Sequence, residues 1–124
     1  MKMKKNIWLA AFALSLVGCA SAPKPLYQWG SFTQQTYLMY NTPEKATPSM
    51  QIIKLESEIE KAKAKNLAVP PGLYAHLGLM YLQQNNPQKA SENFQLERQV
   101  YPESTILMDR LLQKMNANAG GVQR

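Results

Sequence analysis

The sequence predicts an all-α domain of short antiparallel helix pairs closed by a C-terminal helix, and three observations carry that reading. Apolar residues recur at three-to-four spacing, as in Ile52, Leu55, Ile59 and Ala62. Pro and N-cap residues open the helical stretches, as at Thr47-Pro48 and Asn86-Pro87. Strand patterns are missing: Tyr27 to Trp29 could run extended, but three residues make no sheet.

In chain order, the first element is a targeting segment. Met1-Lys2-Met3-Lys4-Lys5-Asn6 is a basic n-region and Ile7 to Val17 an apolar run too short for a permanent span. It ends in Leu16-Val17-Gly18-Cys19, which holds the single cysteine of the chain. With Leu16 at −3, Gly18 at −1 and Cys19 at +1, this resembles the lipobox of bacterial lipoproteins. The resemblance implies that residues 1–18 are cleaved as a signal peptide and that Cys19 is lipidated, diacylated on sulfur and acylated on its new amino group. Such chains, at about 0.8 kcal/mol per buried CH₂, hold a protein on a membrane. Gram-negative sorting then places a chain with Ala20 after its cysteine on the periplasmic face of the outer membrane. An ordinary signal cleaved near Ala20 or Ala22 is the alternative, and would leave Cys19 in the discarded piece.

Residues 19–26 read as a small, proline-bearing tether, and 27–117 as one helical domain. Ser31 is the expected N-cap of a short helix over 31–41, ended by Asn41-Thr42-Pro43. Thr47 caps a helix over 48–66, with Asn66 a left-handed stop. Along that helix Glu56, Glu58 and Glu60 interleave with Lys61, Lys63 and Lys65, which reads as a solvated face with its cations at the C-terminus.

Pro71 to Ser104 is the most patterned stretch. Tyr74, Leu77, Gly78, Tyr81, Ala90, Phe94 and Pro102 fall in one register on the signature positions of a tetratricopeptide repeat, which the stretch resembles. The pattern predicts helices over 71–84 and 87–100, with Gly78 and Ala90 at their closest approach and Asn85-Asn86-Pro87 as the turn. Glu97 departs from it, standing where a small residue usually meets the next helix; pairing with a cation such as Arg110 would reconcile it. Residues 103–117, with Met108, Leu111, Leu112 and Met115, read as a capping helix. Residues 118–124 read as a flexible tail.

Composition narrows the chemistry. The formal charge falls from +6 to +3 once Lys2, Lys4 and Lys5 leave with the signal, and no basic stripe remains, so nucleic acid is not an expected partner. His76 is the only histidine and an acylated Cys19 is no thiolate, so no metal site and no cofactor beyond the covalent lipid is expected. His76 reads as a partly packed helix residue. No nucleophile stands in spacing with a base, and the chain reads as a non-enzyme.

From Leu26-Tyr27-Gln28-Trp29-Gly30 through Val69-Pro70-Pro71-Gly72 to Met108-Asp109-Arg110-Leu111, the chain resembles the small lipoproteins catalogued as domain of unknown function 4810. The resemblance implies a Gram-negative envelope lipoprotein. Its gene commonly lies beside a curli-secretion-channel-like lipoprotein of the CsgG/HfaB type, and no activity is implied. Two candidate docking patches follow. Ala75, Leu79, Leu82 and Gln83 occupy positions that line the concave groove of tetratricopeptide repeats. Trp29 and Tyr37 belong to the crowd of aromatics Tyr27, Trp29, Phe32, Tyr37 and Tyr40, most of which read as core. The expected function is a protein-interaction scaffold, and the alternative is a structural or ligand-binding lipoprotein that contacts peptidoglycan.

Overall fold

The computed structural model describes residues 22–121; the signal segment and Cys19 lie outside the described residues. Five α-helices follow one another: α1 (Phe32–Asn41), α2 (Pro48–Ala64), α3 (Leu73–Gln83), α4 (Pro87–Val100) and α5 (Thr105–Gly121). Single 3₁₀ turns at Pro43–Lys45 and Pro102–Ser104 join α1 to α2 and α4 to α5. No strand occurs among the described residues; Tyr27 makes one isolated parallel bridge with Ala68.

Local signals set most of the boundaries. The Thr47 hydroxyl accepts from Met50 N at 3.4 Å with Pro48 in the first helical position. Asn66 adopts φ +52° and lets Leu67 N reach back to Ala62 O at 2.9 Å, so α2 stops there. Asn85, at φ +55°, does the same for α3, and the Asn86 side chain then accepts from Lys89 N at 3.1 Å to start α4. Ser31 differs from expectation. It sits at the N-cap of α1, but its hydroxyl donates to Glu58 Oε1 at 3.3 Å and caps nothing. The last helix differs at both ends. α5 begins only after the 3₁₀ turn and continues to Gly121, past residue 117, because Ala117 and Ala119 favour helix and no proline stops it.

Leu73, Leu77 and Tyr81 of α3 lie at the centre of the core, flanked by Leu55 and Ile59 of α2, Ala90 and Phe94 of α4, and Met108 of α5. Burying each large apolar side chain contributes about 1.5–3 kcal/mol. α3 and α4 run antiparallel and in close contact. A Cβ on Gly78 would lie 2.6 Å from Phe94 Cε1 and 3.1 Å from Ala90 O, so only glycine lets the two backbones come this near.

Two buried glutamates organise the periphery, and the sequence reading assigned neither its role. Glu97 is 1 % exposed and pairs with no cation. Its carboxylate accepts from Gly72 N at 2.7 Å and Ala75 N at 3.4 Å, capping α3, and from the Ser104 hydroxyl at 3.4 Å. The cation beside it, Arg98, pairs instead with Asp109 at 2.5 Å. Glu58 is likewise buried and leaves the solvated face on which it was placed. It accepts from Gln28 Nε2, Ser31 Oγ and Lys61 Nζ at 3.1–3.3 Å, so it fastens the segment before α1 onto α2. Burial alone would raise its carboxyl, but the hydrogen bonds from Lys61, Gln28 and Ser31 outweigh that and hold it below the usual carboxylate range. Gly30, at φ +47°, makes this possible, since any Cβ there would occupy the Glu58 carboxylate's place.

Candidate partner-binding groove

Leu79 and Leu82 line a groove on α3 bordered by Asn85 and Pro87 at the start of α4, and α5, packed on α4, supplies its other side. Leu111, Met115 and Ala119 complete a mainly apolar groove of about 510 Å³, with Lys114 on its rim. Leu79 remains 38 % exposed although it is flanked by apolar neighbours on both helices. The groove offers apolar side chains a dry seat and offers an acidic group one cation. Such a surface can select an apolar segment with a flanking carboxylate.

The other expected docking residues are placed elsewhere. Ala75 packs against the core and its backbone N–H is held by Glu97. Gln83 is exposed at the end of α3 and does not line the groove. Trp29 stacks on Phe32 with ring centroids 6.4 Å apart, and Phe32 in turn meets the His76 ring edge-on at 5.7 Å. Of the crowded aromatics only Phe32 packs against the core. Trp29, before the helix, is exposed, and so are Tyr37 and Tyr40, because the inward-facing position of α1 is taken by Gln35. The α5 half of the groove escaped sequence reading. Its signal was the width of the stripe Met108, Leu111, Leu112 and Met115, which is more than one neighbouring helix covers.

A second depression lies between α2, α3 and α4, with charged residues over an apolar floor of Ile59, Leu77 and Leu96. The Tyr81 hydroxyl donates to Glu56, and Lys89 Nζ lies 3.5 Å from that hydroxyl and 5.2 Å over the ring. Burial, the Glu56 hydrogen bond and the nearby carboxylate charge push the Tyr81 phenol up to about 12, so it stays a proton donor. Glu60 and Glu92 line the same depression with Lys63. Lys63 pairs with Glu60 at 2.8 Å, and Glu92 accepts from Gln88 at 3.5 Å.

His76 is the one imidazole. Its Nε2 donates to Gln51 Oε1 at 2.7 Å, and Gln51 is oriented by its own donation to Ala46 O at 2.7 Å. Burial pushes its pKa down from 6.5, which favours the neutral ring. Among the described residues no group of three or more His, Cys, Asp or Glu could hold a metal ion, and no helix is long and apolar enough to cross a membrane.

No curated protein and no solved structure matches the chain. The family model described as Domain of unknown function (DUF4810) matches residues 26–111, from the segment before α1 to the middle of α5, and the chain belongs to that family.

Proposed function

We propose that this protein is a lipid-anchored scaffold: a helical-repeat lipoprotein of tetratricopeptide type, held by acylated Cys19 at the periplasmic face of the outer membrane. Its α3–α5 groove takes an apolar segment of an envelope protein. The carrying observation is the groove itself, where Leu79 is exposed and Leu82, Leu111 and Met115, each only partly buried, line an apolar surface beside the core. Lys114 on the rim favours a partner with a carboxylate beside its apolar residues. The first partner to test is the companion lipoprotein of the CsgG/HfaB type implied by the family resemblance. The reading involves no catalysis, no metal and no nucleic acid. The alternative, a lipoprotein contacting peptidoglycan, called for a polar groove lined by cations; the charged depression carries Glu56, Glu60 and Glu92 against Lys63 and Lys89, which supports the scaffold instead.

The test replaces Leu79 and Leu82 together by Ser. Leu79 is exposed and Leu82 is only partly buried at the edge of the core, so the helical fold is expected to persist at some cost in stability. Leucine burial at an interface is worth about 1.5–3 kcal/mol each, so capture of the channel-like lipoprotein from envelopes should weaken tenfold or more. A folded double variant that retains its partner at wild-type strength would remove the groove from the account. Cys19→Ala tests the anchor separately, and should abolish palmitate incorporation.

A further inference from the structure

α1 is a helix without a charge on it, yet its outer side is exposed. From Pro25 to Pro43 the sequence contains no Asp, Glu, Lys or Arg. α3 also lacks these four residue types, but α3 is the helix at the centre of the core, where an uncharged sequence serves burial. The same composition on α1 is left in the open. Tyr37 is 65 % and Tyr40 77 % exposed, three residues apart and therefore on one face. At the N-terminal end of the helix Trp29 is 45 % and Leu26 69 % exposed. Large aromatic rings with polar tips and no neighbouring charge are the composition found at the headgroup level of a bilayer, where ring and hydroxyl meet different solvents and no ion has to be dehydrated.

The covalent chain supplies the second argument. Leu26 lies seven residues after Cys19 and Trp29 ten, so a fully extended tether reaches about 25 Å and about 35 Å respectively. A domain tied that closely meets the lipid surface at high effective concentration, and even weak affinity is then sufficient. Lys24, exposed within the tether, suits anionic headgroups.

We propose that the exposed aromatic side of α1, with Leu26 and Trp29 before it, lies on the lipid surface beside the acyl anchor, which fixes how the domain is presented to the periplasm. This rests on the lipoprotein reading of Cys19. α1 and the α3–α5 groove then have separate tasks, one orienting the domain and the other receiving the partner.

The mature chain carries its own probe, since the only other tryptophan, Trp8, leaves with residues 1–18. The acylated protein is reconstituted into vesicles of phosphatidylethanolamine and phosphatidylglycerol, and Trp29 emission is read with iodide in solution or with lipids brominated near the top of the acyl chain. The expected result is a blue-shifted Trp29, shielded from iodide and quenched by brominated lipid. Tyr37→Glu with Tyr40→Glu should lose both effects while the protein still floats with the vesicles and keeps its helical circular dichroism; Tyr37→Phe with Tyr40→Phe should retain them. An acylated, vesicle-bound wild type whose Trp29 stays as open to iodide as in an unacylated protein expressed from residue 20, which lacks Trp8, would overturn the seating of α1. So would shielding that develops only on addition of a partner protein. Absence of palmitate at Cys19 would fell the anchor reading and this proposal together, and labelling tells that failure apart from the others.

Discussion

The α3–α4 pair and α1 hold their places in different ways. In the pair, Gly78 removes the side chain that would separate the helices, Phe94 fills the space beside it, and Leu77, Tyr81 and Ala90 close the contact without polar compromise. α1 buries Gln35, whose Oε1 has no hydrogen-bond partner, and the Thr42 hydroxyl at the helix end is similarly left over. The segment before it is held by the Glu58 clamp and by backbone bonds from Gln28 N to Ala68 O and from Ala68 N to Leu26 O. Close apolar packing is worth several kcal/mol per large residue, whereas a net hydrogen bond is worth about 1 kcal/mol and an orphaned buried oxygen subtracts from it. One small domain thus contains a rigid centre and a lightly seated first helix. Local opening is expected to begin at α1.

Phe94→Ala is the harshest test of that contrast. It empties the tightest contact in the molecule and should cost about 3–5 kcal/mol by chemical denaturation. Gly78→Leu attacks the same crossing from the facing helix and should rank beside it. If either variant kept wild-type stability, the α3–α4 contact would not be the rigid centre.

The next effect concerns the carboxylate that joins centre to periphery. Glu97→Ala leaves Gly72 N–H and Ala75 N–H without their acceptor and frees Ser104, at an expected cost of about 1–3 kcal/mol. Hydrogen exchange should speed up in the first turn of α3 before it does so elsewhere. Uniform acceleration along α3 would show that Glu97 does not act as a cap.

Gln35→Met sharpens the comparison in the opposite direction. It keeps roughly the same volume and removes the orphaned Oε1, so stability should rise by about 1 kcal/mol, and exchange protection in α1 should rise with it. A loss of stability would mean that Gln35 has a polar partner in solution.

The smallest effect is a pH dependence. The folded-state pKa of His76 lies below its ordinary 6.5 because burial disfavours the charged ring. The folded protein therefore binds the proton less readily than the unfolded chain, and stability should fall as pH drops below 6.5. The ring is partly wet, so the loss should be small. Glu58 acts in the other window: its pKa is depressed, so its contribution is present above about 4.5 and is lost as pH falls through the lowered value. Melting temperatures between about pH 7.5 and pH 5.5 therefore isolate His76, and His76→Gln should flatten the profile. An unchanged slope in that variant would assign the dependence to another group.

The helices themselves were legible because their signals are local. Thr47-Pro48, Asn66, Asn85-Asn86-Pro87 and the three-to-four spacing of Leu55, Ile59 and Ala62 each act within a turn or two of chain, and the structure follows them. The Gly78–Ala90 crossing was legible too, since a short turn brings the two helices together whatever the rest of the chain does. What a charged residue would do was not legible. Glu58 and Glu97 read as a solvated charge and as a misfit, and both are buried clamps, because their partners Gln28, Ser31, Gly72 and Ser104 come from other elements, seven to 30 residues away. The same holds for exposure. Hydrophobicity put most of the aromatics of residues 27–40 in the core, with Trp29 and Tyr37 as docking candidates, but a helix has one inward side, and tertiary packing gave that side to Gln35 and left Tyr37 and Tyr40 in the open. The groove stood half in each category: Leu79 and Leu82 follow from the repeat register, while Leu111 and Met115 join them only because α5 packs on α4 and so comes to lie beside α3. Sequence by itself determined where the chain turns helical, since caps and periodicity are short-range. Which side of each helix meets protein and which is left free was decided by packing between distant segments, where burial energy depends on the neighbour that arrives.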